Sequence, residues 1–359
     1  MRPLTLFLLC LAATTLSGQS LFDLLYRDAP TAAVDLVLTV PLDSLRGETR
    51  GAQPATVFFT DTDGVERHFG LSVDIRGRFR RSRCATPPLK LDFGKGELKA
   101  AGLDKHDKYK LVNTCSDDST GTNLLLKEYL AYRTYARLSP AAHFRAQLLR
   151  VTYRDAAARQ PDRVAYAFLL EDTDEMAERA GGHELDASVG LAAERFDPEA
   201  EATHAMFQYL IGNADWSLPL HRNLKLVERP DGKLIPVGYD FDFSGWVGAP
   251  YASPSREVGQ ESIYQRIYLG YGQSDRTLRS VNQNFRQQRR EVLALIDGFD
   301  LLPLSERRTL SRFVQRFYND VAAMSNNTGI LLYDQLRGAT AALIPLGGRA
   351  GDYGTSSRR

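Results

Sequence analysis

The sequence predicts an α+β protein of two lobes, strand-rich in its first half and helical in its second. Three observations predict it. Short runs of alternating polar and apolar residues recur between residues 34 and 170. Capped stretches of helical periodicity dominate after residue 197. Between them the polar break Glu171-Asp172-Thr173-Asp174 ends the strand pattern. Period two marks half-buried strands, and period 3.6 marks amphipathic helices. The expected division is residues 20–172 for the strand-rich lobe and 173–345 for the helical one.

Residues 34–40 and 55–60 read as the first strands. The second closes on Asp61-Thr62-Asp63-Gly64, a turn composition. Residues 68–76 alternate, with Phe69, Leu71, Val73 and Ile75 on one face. Residues 89–93 alternate again, and 109–113 form a short apolar strand. A helix follows over 124–138, with Asp117, Asp118 and Ser119 as N-cap candidates and Pro140 beyond its end. Residues 146–153 and 163–170 read as a hairpin with a long polar loop. Asp197 before Pro198 starts the next helix, which Gly212 ends. Residues 223–227 and 234–239 form a hairpin around Arg229-Pro230-Asp231-Gly232. Helices are then expected over 261–269, 274–298, 305–325 and 331–337.

The chain opens with Met1-Arg2-Pro3, an apolar run from Leu4 to Leu16, and Ser17-Gly18-Gln19. That pattern reads as a signal peptide over residues 1–19 and an exported, secreted protein. No later run is long enough to span a bilayer, so no transmembrane segment is expected. Residues 346–359 are small and polar and read as a disordered tail. Without Arg2 the 45 basic residues become 44, against 44 acidic ones. Such a balance gives no general attraction to nucleic acid. Cys84 and Cys115 are the cysteines left after cleavage. They are either a disulfide or two separate buried thiols.

The candidate chemistry is concentrated between residues 213 and 245. Asp215 follows a helix end, Asn223 comes eight residues later, and Asp240 and Asp242 follow a short apolar run. Asp240 and Asp242 share a strand face, where a cation or a basic partner would relieve their repulsion. Phosphoryl transfer from a nucleotide uses a carboxylate that orients the acceptor hydroxyl, and an amide with a second carboxylate that holds the metal. Asp215 and Asn223 are therefore the catalytic candidates, and Asp240, Asp242 and Asn223 the metal ligands. Oxygen donors alone suit magnesium or manganese. The same chemistry needs a strand lysine held by a helix glutamate, for which Lys90 and Glu128 are the candidates. Five arginines lie within residues 76–83, and Arg76 and Arg78 are candidates for gripping ATP phosphates. No glycine-rich phosphate loop is present, so the grip falls to these side chains.

These blocks carry a resemblance. Val73-Asp74-Ile75-Arg76-Gly77 with Leu89-Lys90-Leu91-Asp92-Phe93 resembles the opening of the CotH kinase-like family of exported and spore-coat proteins. Lys108-Tyr109-Lys110-Leu111-Val112-Asn113, Asn213-Ala214-Asp215-Trp216 with Asn223, and Ile235-Pro236 through Asp242 resemble its later blocks. The similarity spans roughly residues 70–250, in blocks rather than continuously. It implies a bilobal atypical protein-kinase-like fold, and an ATP-dependent kinase acting on Ser and Thr hydroxyls of secreted or surface proteins. It also implies Asp215 as the catalytic carboxylate, Asp240 as the metal ligand with Asn223 and Asp242 assisting, and Lys90 on the phosphates. A monomer is expected.

Two other readings compete. One is a catalytically silent extracellular binding module on the same fold. The other takes Asp240-Phe241-Asp242-Phe243-Ser244 as a haloacid-dehalogenase-type phosphatase motif, which the helical remainder of the chain disfavours.

Overall fold

A computed structural model describes residues 18–45, 51–77, 79–186 and 189–341. The expected signal peptide lies outside the described residues except for its last two, and so does the expected tail. Seven strands are β1 (Val34–Val40), β2 (Gln53–Thr60), β3 (Glu66–Ile75), β4 (Leu89–Phe93), β5 (Lys108–Asn113), β6 (Ala146–Asp155) and β7 (Arg163–Leu170). They close into a barrel in the order β1-β2-β3-β4-β5-β7-β6. Most neighbours are antiparallel, but β1 pairs with β6 in parallel from Val34↔Leu149 to Val40↔Asp155, and this pairing closes the ring.

Alternation fills the barrel. Leu36, Leu38 and Val40 of β1, Leu89, Leu91 and Phe93 of β4, and Tyr109 and Leu111 of β5 all point into one core. Helix α1 (Leu21–Leu25) adds Leu21, Phe22, Leu24 and Leu25 to that core, and Phe22 stacks on Tyr109. Its start is a reciprocal Ser20–Asp23 capping box. Helices α2 (Phe79–Arg83) and α3 (Lys95–Ala100) are short excursions between strands.

Helix α4 (Ser119–Leu138) starts where Asp118 accepts from the Gly121 amide. It joins a second core with α6 (Pro198–Ile211), α7 (Asp275–Asp297), α8 (Leu304–Asn326) and α9 (Leu332–Ala341). Val112, Ala146, Leu148, Phe168 and Leu170, from the outer wall of the barrel, belong to this second core. Between α4 and α6 lies α5 (Thr173–Arg179). A three-stranded sheet of order β10-β9-β8 completes the fold, from β8 (His183–Leu185), β9 (Leu224–Glu228) and β10 (Leu234–Gly238).

This architecture overturns the expected bilobal atypical protein-kinase-like fold. The first-half strands are not an open lobe sheet but a closed mixed barrel. Closure removes the exposed strand edges that an open sheet would leave. It rests on a pairing between residues more than a hundred positions apart, which no local pattern encodes. The helix expected over 261–269 is also absent. Gln260 donates to the Gln265 carbonyl and the Glu261 amide donates to the Gln265 side chain, so side-chain amides take the place of a helical ladder. Cys84 and Cys115 are joined by a disulfide that ties the end of α2 to the segment before α4.

Candidate functional site

A cleft of about 240 Å³ lies where the β3–α2 connection meets the turns after α6 and β10. Asp215, Asn223, Asp240, Asp242 and Arg76 all line it. Helix α6 ends in Gly212, which takes the left-handed conformation at φ 64° and ψ 38°. Asn213 then accepts from the Asp215 amide and donates to the Gln208 side chain, which fixes the turn that presents Asp215. Asn223 donates to the Asp215 main-chain carbonyl at 2.5 Å and to its Oδ2 at 3.0 Å.

Asp240 follows β10, and its amide donates to the Tyr132 hydroxyl at 2.8 Å. Four non-glycine residues take positive φ among the described residues, and His221, Asn223 and Asp240 are three of them. Such conformations cost about 1–3 kcal/mol each and gather at functional sites. Here they turn the chain back on itself at both mouths of the β9–β10 hairpin.

Glu128 of α4 reaches the same floor. One oxygen each from Glu128, Asp240 and Asp242 lie within 4.8 Å of one another, an arrangement able to hold a metal ion. Arg80 of α2 sits against it. Its Nη2 is 2.7 Å from Glu128 and 2.8 Å from Asp242, and its Nε donates to Asp242 at 2.9 Å. Glu128 Oε1 is buried without a hydrogen-bond partner among the described residues. An orphaned carboxylate oxygen beside Asp240 is an open ligand position, so the donor set fits a hard divalent cation.

The electrostatics agree with an excess of negative charge. Burial and then Asp242 push Asp240 up to about 6, against the pull of Arg80 and Arg76. Burial pushes Glu128 up to about 7 in spite of Arg80. Asp215 is also raised, by burial, with Arg222 and Asn223 opposing. Arg76 lines the cleft and makes no side-chain hydrogen bond or ion pair among the described residues. On the apolar side Phe79, Phe243 and Tyr251 pack together, with centroids 5.3 to 5.8 Å apart.

Lys90 does not line this cleft. Its amine pairs with Asp92 at 2.7 Å on a part-exposed face of β4. The expected Lys90–Glu128 pair is therefore absent, because Arg80 takes the glutamate. Arg78 lies outside the described residues. Local sequence does not mark the part played by two charged residues, Arg80 and Lys110. Arg80 was one of five arginines in a run, and nothing local distinguished the buried one. Lys110, cross-strand from Lys90, donates to Thr173 and lies over the Phe144 and Tyr239 rings. Burial and then Arg76 lower it to about 8. Its place in an alternating strand, on the outer face beside Val112, was the available signal.

No model of a known protein family matches this chain, and no curated protein matches it. Among the described residues no helix is long and apolar enough to cross a membrane.

Proposed function

We propose that this chain is an exported, metal-dependent phosphotransferase that moves the terminal phosphoryl group of ATP to Ser or Thr hydroxyls of proteins. The observation that carries the reading is the convergence of Asp215, Asn223, Asp240, Asp242 and the unpaired Arg76 on one cleft. The motif blocks similar to the CotH kinase-like family support the same chemistry. Asp215, oriented by Asn223 and raised by burial, orients the acceptor hydroxyl and takes its proton. Asp240, Glu128 and the free face of Asp242 would hold magnesium, which neutralises phosphate charge when bound. Arg76 supplies a guanidinium fork for phosphate oxygens.

One observation favours a second reading, a silent binding module. Arg80 already satisfies Asp242 and one oxygen of Glu128, as an ion would. Calorimetric titration of the full chain with magnesium and ATP separates the two, together with transfer of labelled phosphate to a generic protein acceptor. The catalytic reading expects magnesium-dependent ATP binding that Asp240→Ala abolishes, and transfer that Asp215→Ala abolishes. Binding without transfer supports the silent module. Absence of both overturns the nucleotide reading.

A further inference from the structure

The chain leaves the acidic cleft at Phe243 and by Gly245 lines a second cavity, of about 550 Å³. The lining of this cavity has the opposite character. Lys127, Arg266 and Arg316 face it, and Glu306 is the one acid among its lining residues, 3.3 Å from Lys127. Lys127 precedes Glu128 on α4, so neighbouring residues of one helix serve the two sites.

Arg266 is one of the cations lining the cavity. Its guanidinium lies over the Phe313 ring at 4.1 Å, donating to the Leu210 carbonyl at 3.2 Å and the Phe313 carbonyl at 2.7 Å. Among the described residues no carboxylate comes within 4.0 Å of it. Burial, the largest cause, lowers its pKa to about 10; Tyr209 and Asp320 oppose that and Arg316 adds to it. Arg316, exposed on α8, makes no ion pair among the described residues. The described lining carries three cations against one acid, Asp320 is a further carboxylate acting on Arg266, and the two guanidiniums repel each other across the cavity. A dianion seated between them would relieve that repulsion, and the planar forks suit tetrahedral oxygens. The Tyr264 and Thr309 side chains line the same space and offer hydroxyl donors.

We propose that this cavity is a binding site for a phosphate dianion, held by Arg266, Arg316 and Lys127. The proposal does not rest on phosphotransfer at the acidic cleft. The ligand is either free inorganic phosphate or a phosphorylated side chain on a polypeptide.

The test is a thermal-shift and calorimetric titration of the full chain without nucleotide or divalent metal. The probes are inorganic phosphate and a peptide carrying one phosphoserine, with sodium chloride at matched ionic strength as control. The expected result is a saturable rise in Tm with a phosphate probe and none with chloride. Arg316→Gln should weaken that binding by about tenfold or more, since a hydrogen bond to a charged group is lost. Arg154→Gln, on an exposed face of β6 away from both cavities, should leave it unchanged. Arg266→Gln also removes two carbonyl contacts and can unfold, so the exposed Arg316 carries the test. Saturation by inorganic phosphate alone assigns a free anion, and tighter binding of the peptide assigns a phosphorylated polypeptide. Absence of saturable binding overturns the proposal. So does binding lost in Arg154→Gln and kept in Arg316→Gln.

Discussion

Arg80→Met is the sharpest perturbation the fold offers. The Arg80 side chain is 9% exposed, Glu128 is 3% and Asp242 is 5%. Its removal leaves the buried Glu128 and Asp242 carboxylates without their ion-pair partner. Breaking a buried ion pair by deleting one partner costs about 3–5 kcal/mol, because the remaining charge stays desolvated. The sign of the pH dependence follows from the carboxylates. Burial already raises Glu128, and without Arg80 it rises further. An acid whose folded pKa lies above its unfolded value contributes most stability at low pH and loses it as pH rises through the folded value. The penalty of Arg80→Met is therefore full near pH 8 and shrinks near pH 5, where Glu128 is protonated. Urea unfolding followed by circular dichroism at both pH values measures it. A loss under about 1 kcal/mol at pH 8, the range of exposed pairs, would refute the reasoning. An equal loss at pH 5 would refute it as well.

Other outcomes follow from the same geometry. Magnesium should raise the Tm of the wild type and not of Asp240→Asn. Its apparent affinity should increase with pH through about 6, where Asp240 gives up its proton. A titration at pH 5 as tight as one at pH 8 would exclude Asp240 as a ligand. Tyr132→Phe leaves the Asp240 amide without its acceptor, and a buried unsatisfied group costs about 1–3 kcal/mol, to be read by denaturant unfolding. Reduction of Cys84–Cys115, which closes a separation of 31 residues, should lower stability. The chain-entropy relation puts the loss at about 3–4 kcal/mol, checked by unfolding with and without a reducing agent. Leu38→Ala empties a fully buried position inside the barrel and should cost about 2–5 kcal/mol by the same assay.

Much of this was legible residue by residue. The apolar face of Leu36, Leu38 and Val40 shows in the alternation of 34–40, and it points into the barrel core. Asp197, Pro198 and Gly212 mark both ends of α6 because caps are local chemistry. The hairpin around Arg229–Gly232 is likewise local, and it carries Asn223 and Asp240 at its open end. Residues 261–269 failed for the opposite reason, since glutamine side chains there compete for the backbone bonds a helix would make.

The sequence by itself determined where most strands and the long helices lie, which faces they bury, and that oxygen donors cluster between residues 213 and 245. Each of these depends on neighbours within a few residues. Only the tertiary structure decided that the strands close through β1 and β6, that Arg80 rather than Lys90 reaches Glu128, and that Arg266 and Arg316 face one cavity. Those contacts join residues from about fifty to more than a hundred positions apart. They arise when separate apolar faces are buried together, and no periodicity or spacing along the chain records which charged groups that burial will set side by side.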